Sequence, residues 1–241
     1  MDPLGPVIAL WRYPVKSMAG VPVDEVTVGL LGFDHDRRWA LIDTTTGRAL
    51  SAKRVPALLF ASVVDAADGI RPVVTLPDGS SAGNDAPLSA WLGRPVALTD
   101  ARPDERGQYE MMSNFETEGG ELLTWQGPKG TFHDSNRTQV HVLTTGSIGT
   151  WDVRRFRPNV VVDGAGELDL VGRSLQVGSA VLEVVKRTDR CVMTTRPQPG
   201  GVERDLDVLR TINARSGGDL GVGCIVTQPG TIRVGDVVRI A

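Results

Sequence analysis

What most constrains this chain is its punctuation. Among 241 residues, 28 are glycine and 15 are proline, more than one in six against a usual share of about 12%, and they interrupt short runs of Val, Ile, Thr and Leu. Segments broken this often cannot supply long helices, so they read as short strands. Runs at 7–13, 21–28, 38–43, 58–64 and 73–76 predict strands, with a hairpin loop at 44–47 and a turn at 77–79. A second set follows at 140–144, 159–162, 175–177, 181–185, 223–227 and 237–240. Two helices are expected within that set. One is short, at 147–153, with Ser147 as its cap; the other covers 203–214, where Leu206, Leu209 and Ile212 recur every three residues. From 101 to 131 the periodicity fades into Gly, Glu, Asn and Met, a stretch longer than most connections and read as a linker or lid. The expectation is a mostly β protein with a few helices, divided into 1–100, the linker or lid at 101–131, and 132–241.

The formal net charge of −3 argues against a general affinity for nucleic acid or anionic membrane, so any anion site must be a local cluster. No apolar run reaches the 18 or so residues needed to span a bilayer. The opening MDPLGPVIALWRYPVKS lacks the basic start and unbroken apolar stretch of a signal peptide. A cytoplasmic location is expected. There are two cysteines, Cys191 and Cys224, too few for an iron–sulfur cluster held by cysteine alone, and no GxGxxG fingerprint for a dinucleotide. Redox chemistry in this chain therefore calls for an outside electron donor.

Several short clusters could carry chemistry. Cys191 lies in TDRCVMTTR, where flanking guanidinium groups suit a thiolate that binds soft metals or attacks electrophiles. The plain alternative is a small inert core residue. Cys224, between Gly223 and Ile225, fits that alternative far better. Arg154, Arg155 and Arg157 crowd into RRFRPN, whose proline biases Arg157 towards an extended backbone; the reading is an anion fork or a solvated basic turn. Lys16, Ser17 and Gly20 occupy a turn after the first strand. Asp36, Arg37 and Arg38 precede another strand, where a cross-strand ion pair is the simpler reading. Thr144, Thr145, Gly146 and Ser147 lead from a strand into a helix start, which can hold a phosphate or merely cap the helix. His133 and His141 show no zinc-type spacing, and GxSxG is absent.

Taken together, YPVKS, DRRWALID and KRVPAL, then HVLTTGS, RFRPNVVV, RCVMTT and PGTIRVGDVV, resemble in order the MOSC family, named for the C-terminal domain of molybdenum cofactor sulfurase. The resemblance implies an N-terminal MOSC β-barrel module over 1–100 and a MOSC-type β-barrel domain over 132–241. It implies a molybdenum–pterin cofactor (molybdopterin), with Cys191 as metal ligand and catalytic residue. Lys16, Ser17, Arg37, Thr144, Thr145, Ser147, Arg157, Asn159 and Arg190 would hold the pterin and its phosphate. The implied activity is reduction of small N-hydroxylated compounds, with electrons from a separate reductase. A persulfide carrier acting through Cys191 and a non-catalytic cofactor carrier are the alternatives. The chain departs from the family at 220–224, where an aromatic residue is frequent, and at 166–172, where an acidic-acidic-x-Trp element is frequent. His141 and Asp134 are the titratable groups nearest the TTGS segment that could deliver a proton, a structural role for the histidine being the plainer reading.

Overall fold

The computed structural model describes residues 2–63, 71–114 and 119–241. The chain forms two compact units that alternate along the sequence. The first comprises Met1–Arg12, Pro22–Asp34 and Arg137–Ala241; the second comprises Tyr13–Val21 and His35–Asn136. Each unit therefore draws on segments distant from one another in sequence.

The first unit is built on a closed seven-stranded β-barrel. Around it run Val160–Val162, Val140–Thr144, Asp219–Gln228, Ala180–Asp189, Ser174–Val177, Val237–Ile240 and Asp2–Arg12, which pairs back onto Val160–Val162. All neighbours are antiparallel except Val140–Thr144 and Val160–Val162, which run parallel in register Val142 to Val160. Closure leaves no free edge among these strands. Val160 and Val162 face the barrel core with Val142, Leu182, Val184 and Val222. Val161 and Leu143, on the other face, pack with Val208 and Ile212. Burial on both faces explains the unbroken VVV run. A small sheet of Glu25–Gly29, Gly32–Phe33 and Gly230–Arg233 adds Val26, Val28, Phe33 and Ile232 to the same core.

The helices of this unit differ from expectation in register. The short helix, α2, is Thr145–Ile148, and a separate 3₁₀ turn, Val153–Arg155, follows. Its cap is Thr144, still extended, whose hydroxyl accepts the Ser147 N–H at 3.4 Å; Ser147 lies inside the helix. The longer helix, α3, is Asp207–Ser216 and ends on Gly217 in the left-handed region. Its buried stripe is Val208 and Ile212, four apart, while Leu206 sits exposed before the first turn.

In the second unit, Trp39–Asp43 pairs with Val96–Asp100 on one side and Arg48–Ala49 on the other. Ser62–Val63, Val74–Thr75 and Ser81–Ala82 form a second small sheet. The predicted strand at 58–64 is instead a proline-initiated 3₁₀ turn, Pro56–Phe60, followed by Ser62–Val63; Val64 lies outside the described residues. A helix that the β-rich reading missed, α1 (Asp85–Leu92), is capped by Asn84 and stopped by left-handed Gly93. The stretch read as a linker or lid forms an antiparallel ribbon, Arg106–Asn114 with Gly119–Lys129. Its core anchor is Tyr109, buried and 5.4 Å from the ring of Trp125. Few other ribbon residues are buried, so the alternation that reveals a strand was weak. Among the described residues, no helix is long and apolar enough to cross a membrane.

Candidate functional site

In the first unit, Cys191 follows the strand Ala180–Asp189 and precedes the 3₁₀ turn Val192–Thr195. Its carbonyl accepts the Thr194 N–H at 3.1 Å and the Thr194 hydroxyl at 3.0 Å, leaving a partly exposed thiol on a fixed backbone. Cys224 is a core residue of the barrel, and burial pushes its thiol up, away from the reactive thiolate.

Arginines surround the Cys191 loop, and most of their donors are already engaged. Arg190 donates from Nε to the Leu220 carbonyl at 2.8 Å, and from Nη1 to the Phe156 carbonyl at 3.1 Å, with its guanidinium 5.6 Å from the Phe156 ring centroid. Its Nη2 lies 2.6 Å from His141 Nε2. A guanidinium only donates, so His141 accepts there and holds no proton on Nε2. Left-handed Gly221 permits this approach: a Cβ at that position would lie 2.5 Å from His141 Nε2. Arg155, expected either to bind an anion or to be solvated, does neither. It is buried and bonded to main-chain carbonyls. Arg154 pairs with Asp152. Arg157 alone of the RRFR arginines has a left-handed backbone, φ 51°, not the extended form its following proline favours.

Of the TTGS hydroxyls, Thr144 donates to Glu167 Oε2 at 2.5 Å and Thr145 to Asp163 Oδ1 at 2.9 Å. Ser147 lines a cavity of about 200 Å³ with Trp151, Leu168, Arg215 and Asp219. The Asn159 side chain bridges strands, accepting the His141 N–H at 3.1 Å and donating to the Trp11 carbonyl at 3.2 Å. Sequence reasoning did not single out Glu167, which is fully buried with Oε1 lacking a hydrogen-bond partner. Its one signal was an acid in the segment that departs from the family pattern.

The second unit gathers Lys16, Ser17 and Arg37. Buried Lys16 donates to the Phe132 carbonyl at 3.1 Å, pairs with Asp134, and stands 4.2 Å from the Tyr109 ring centroid. Burial lowers its pKa, and Asp134 offsets part of that effect. Lys53 reaches Asp134 at 3.8 Å. Desolvation acts to raise the Asp134 carboxyl, but Lys16, Lys53 and Arg37 outweigh it and hold the group well below the usual carboxylate range. Arg37 pairs with Asp36 and stacks 4.7 Å from the Tyr13 ring centroid, while Arg38 forms a two-pronged pair with Asp100. The Ser17 hydroxyl accepts the Ala52 N–H at 3.0 Å. His133 is buried and pushed down to about 3, first by desolvation and then by Arg37, so it is neutral. Lys16, Lys53 and Arg37 thus face two carboxylates, Asp36 and Asp134, an excess of positive charge that suits one anionic group.

Four non-glycine residues have positive φ among the described residues: Ser17, His35, Arg37 and Arg157. Three of them, Ser17, Arg37 and Arg157, are residues that the family resemblance implies hold the pterin and its phosphate. Backbone held in this sparsely populated region concentrates at ligand sites. No group of three His, Cys, Asp or Glu gathers as a metal site among the described residues.

Comparison with known proteins adds that residues 129–239 match the family model of the MOSC domain and residues 4–91 that of the MOSC N-terminal beta barrel domain. The chain is 24% identical to mitochondrial amidoxime-reducing component 1 of Homo sapiens, over 99% of this chain and 83% of that protein. It is 25% identical to the human mitochondrial amidoxime reducing component 2, over 99% and 84%. It is 24% identical to a molybdenum cofactor sulfurase of Drosophila grimshawi, over 92% of this chain and 32% of that protein. The crystal structure of the YUAD protein from Bacillus subtilis aligns with a TM-score of 0.46 at 13% identity, covering 98% of this chain and 94% of the other.

Proposed function

Because the chain belongs to the MOSC family, with a MOSC N-terminal beta barrel domain followed by a MOSC domain, we propose that it binds a molybdenum–pterin cofactor and reduces small N-hydroxylated compounds. The observation that carries this reading is the left-handed backbone at Ser17, Arg37 and Arg157, the residues to which the resemblance gives anion-binding roles. In the first unit, the partly exposed Cys191 thiol is the metal ligand. Arg157 and the Ser147 hydroxyl are polar contacts for the cofactor. Thr144, Thr145, Asn159 and Arg190 hold backbone and side-chain partners in place, and so support it through the frame. In the second unit, Lys16 and Arg37 form an anion cluster suited to a phosphate.

When bound, the cofactor supplies two-electron reduction of an N–O bond. The chain's own groups limit the proton chemistry. His141 accepts from Arg190 at Nε2 and has no proton to give there, and Asp134 stays ionised. Electrons come from a separate reductase, so the isolated chain is expected to be silent with NADPH and active with a reduced viologen.

The test is metal and pterin content of protein made in a host that synthesises the cofactor. Wild type and Cys191→Ser both fold, wild type carries molybdenum and pterin, and Cys191→Ser loses the metal because a hydroxyl is a poor soft-metal ligand. Full metal in Cys191→Ser, or a cyanide-releasable sulfur on Cys191 with no metal in wild type, defeats this reading; the second result favours sulfur transfer.

A further inference from the structure

Arg155 is a buried arginine whose terminal nitrogens donate to backbone carbonyls of a single downstream segment. Nη1 reaches the carbonyls of Thr194 and Arg196, each at 3.3 Å, and Nη2 that of Glu203 at 2.6 Å. The residue is 8% exposed. Two further arginines bracket the same junction. Arg154 Nη1 donates to the Pro199 carbonyl at 2.5 Å, and Arg190 Nη1 crosses the other way to the Phe156 carbonyl. The turn that ends at Arg157 and the loop that begins at Cys191 are therefore tied together by five guanidinium–carbonyl bonds.

Such a tie has a property an ion pair lacks. The guanidinium is planar, stays charged, and presents donors in a fixed fork. Carbonyl oxygens belong to the main chain, so the bonds fix backbone rather than a side-chain rotamer. Three bonds from one side chain to residues 194, 196 and 203 set the path of the loop that follows Cys191, and the Thr194 N–H and hydroxyl pass that constraint to the Cys191 carbonyl.

We propose that Arg155 is a positioning residue that fixes the Cys191 loop against the Arg157 turn, setting the thiol and the left-handed arginine as one rigid element. This rests on the reading of Cys191 as metal ligand for its purpose, but not for its physical test. A lysine keeps the charge at Arg155 and loses the fork, so it cannot bridge three carbonyls at once.

The experiment is differential alkylation of the full-length chain, free of cofactor, by iodoacetamide. Cys191 reports the loop, and Cys224, fully buried in the barrel core, reports global opening. In Arg155→Lys, and more strongly in Arg155→Gln, Cys191 labels at least about tenfold faster than in wild type while Cys224 keeps its wild-type rate, as expected when opening is local. Should Arg155→Gln fail to fold, Arg155→Lys carries the test alone. An unchanged Cys191 rate overturns the proposal. So does a parallel rise at both cysteines, because it makes Arg155 a support of the whole barrel and not of this loop. A chain that never takes up molybdenum defeats the functional reading and leaves this result standing, whereas a metal-loaded wild type with equal labelling in the variants does the reverse.

Discussion

The two units hold their buried and half-buried cations by different means. In the first, Arg155 and Arg190 are bonded mainly to main-chain carbonyls; in the second, Lys16 and Arg37 are paired with Asp134 and Asp36. Carbonyls do not titrate, so the Arg155 bonds are indifferent to pH and fix backbone. Carboxylates can be protonated and can compete with an incoming anion, so the second is adjustable. A single chain thus holds a rigid frame around a thiol and, separately, a charge cluster that responds to its surroundings.

The largest effect that could break this contrast is loss of the carbonyl ties. Arg155→Met leaves three carbonyls without their donor, and each charge-assisted bond is worth about 1.5–3 kcal/mol, so a loss of roughly 3 kcal/mol or more is expected in urea unfolding. Lys16→Met, by contrast, exchanges a buried amine for an apolar chain of similar length. Asp134 keeps Lys53 and half its exposure to water, and one carbonyl, that of Phe132, loses its donor, so a smaller loss of about 1–2 kcal/mol is expected. Equal costs would erase the distinction.

A smaller effect sharpens it. His133 has a folded pKa of about 3, below the ordinary 6.5, so the unfolded chain takes up the proton first. The stability this group contributes is present above about 6.5 and is lost as pH falls towards 3. From pH 7 to 5 the loss is roughly 2 kcal/mol, at about 1.4 kcal/mol per unit. Hydrogen exchange locates it: protection of the Phe132 N–H, bonded to the Arg37 carbonyl, should fall over that interval after correction for intrinsic rates. The Thr194 N–H, bonded to the Cys191 carbonyl, should hold steady. The smallest effect is a control on both. Arg210 and Asp207 on α3 are exposed partners, and Arg210→Ala should stay within about 0.5 kcal/mol because water screens such pairs.

Short β-branched runs between glycines and prolines marked most barrel strands, because a closed sheet needs extended segments with frequent turns and little else. Cys191 and Cys224 were separable by their neighbours alone, one among polar residues and one inside an apolar run. The ribbon at 106–129 was not legible, since its burial is concentrated near Tyr109 and Gly127. Nor was the cap of α2: Thr144 and Ser147 carry the same hydroxyl chemistry, and only the extended backbone at Thr144 makes it the cap. Arg154, Arg155 and Arg157 are alike as letters. Their sequence set the number of charges, the turn and the proline that follows. The pairing of Arg154 with Asp152, two residues back, is local, but the burial of Arg155 among carbonyls was decided by tertiary structure, because a donor's role depends on the acceptors brought to it, and those of Arg155 come from residues 39 to 48 positions away along the chain.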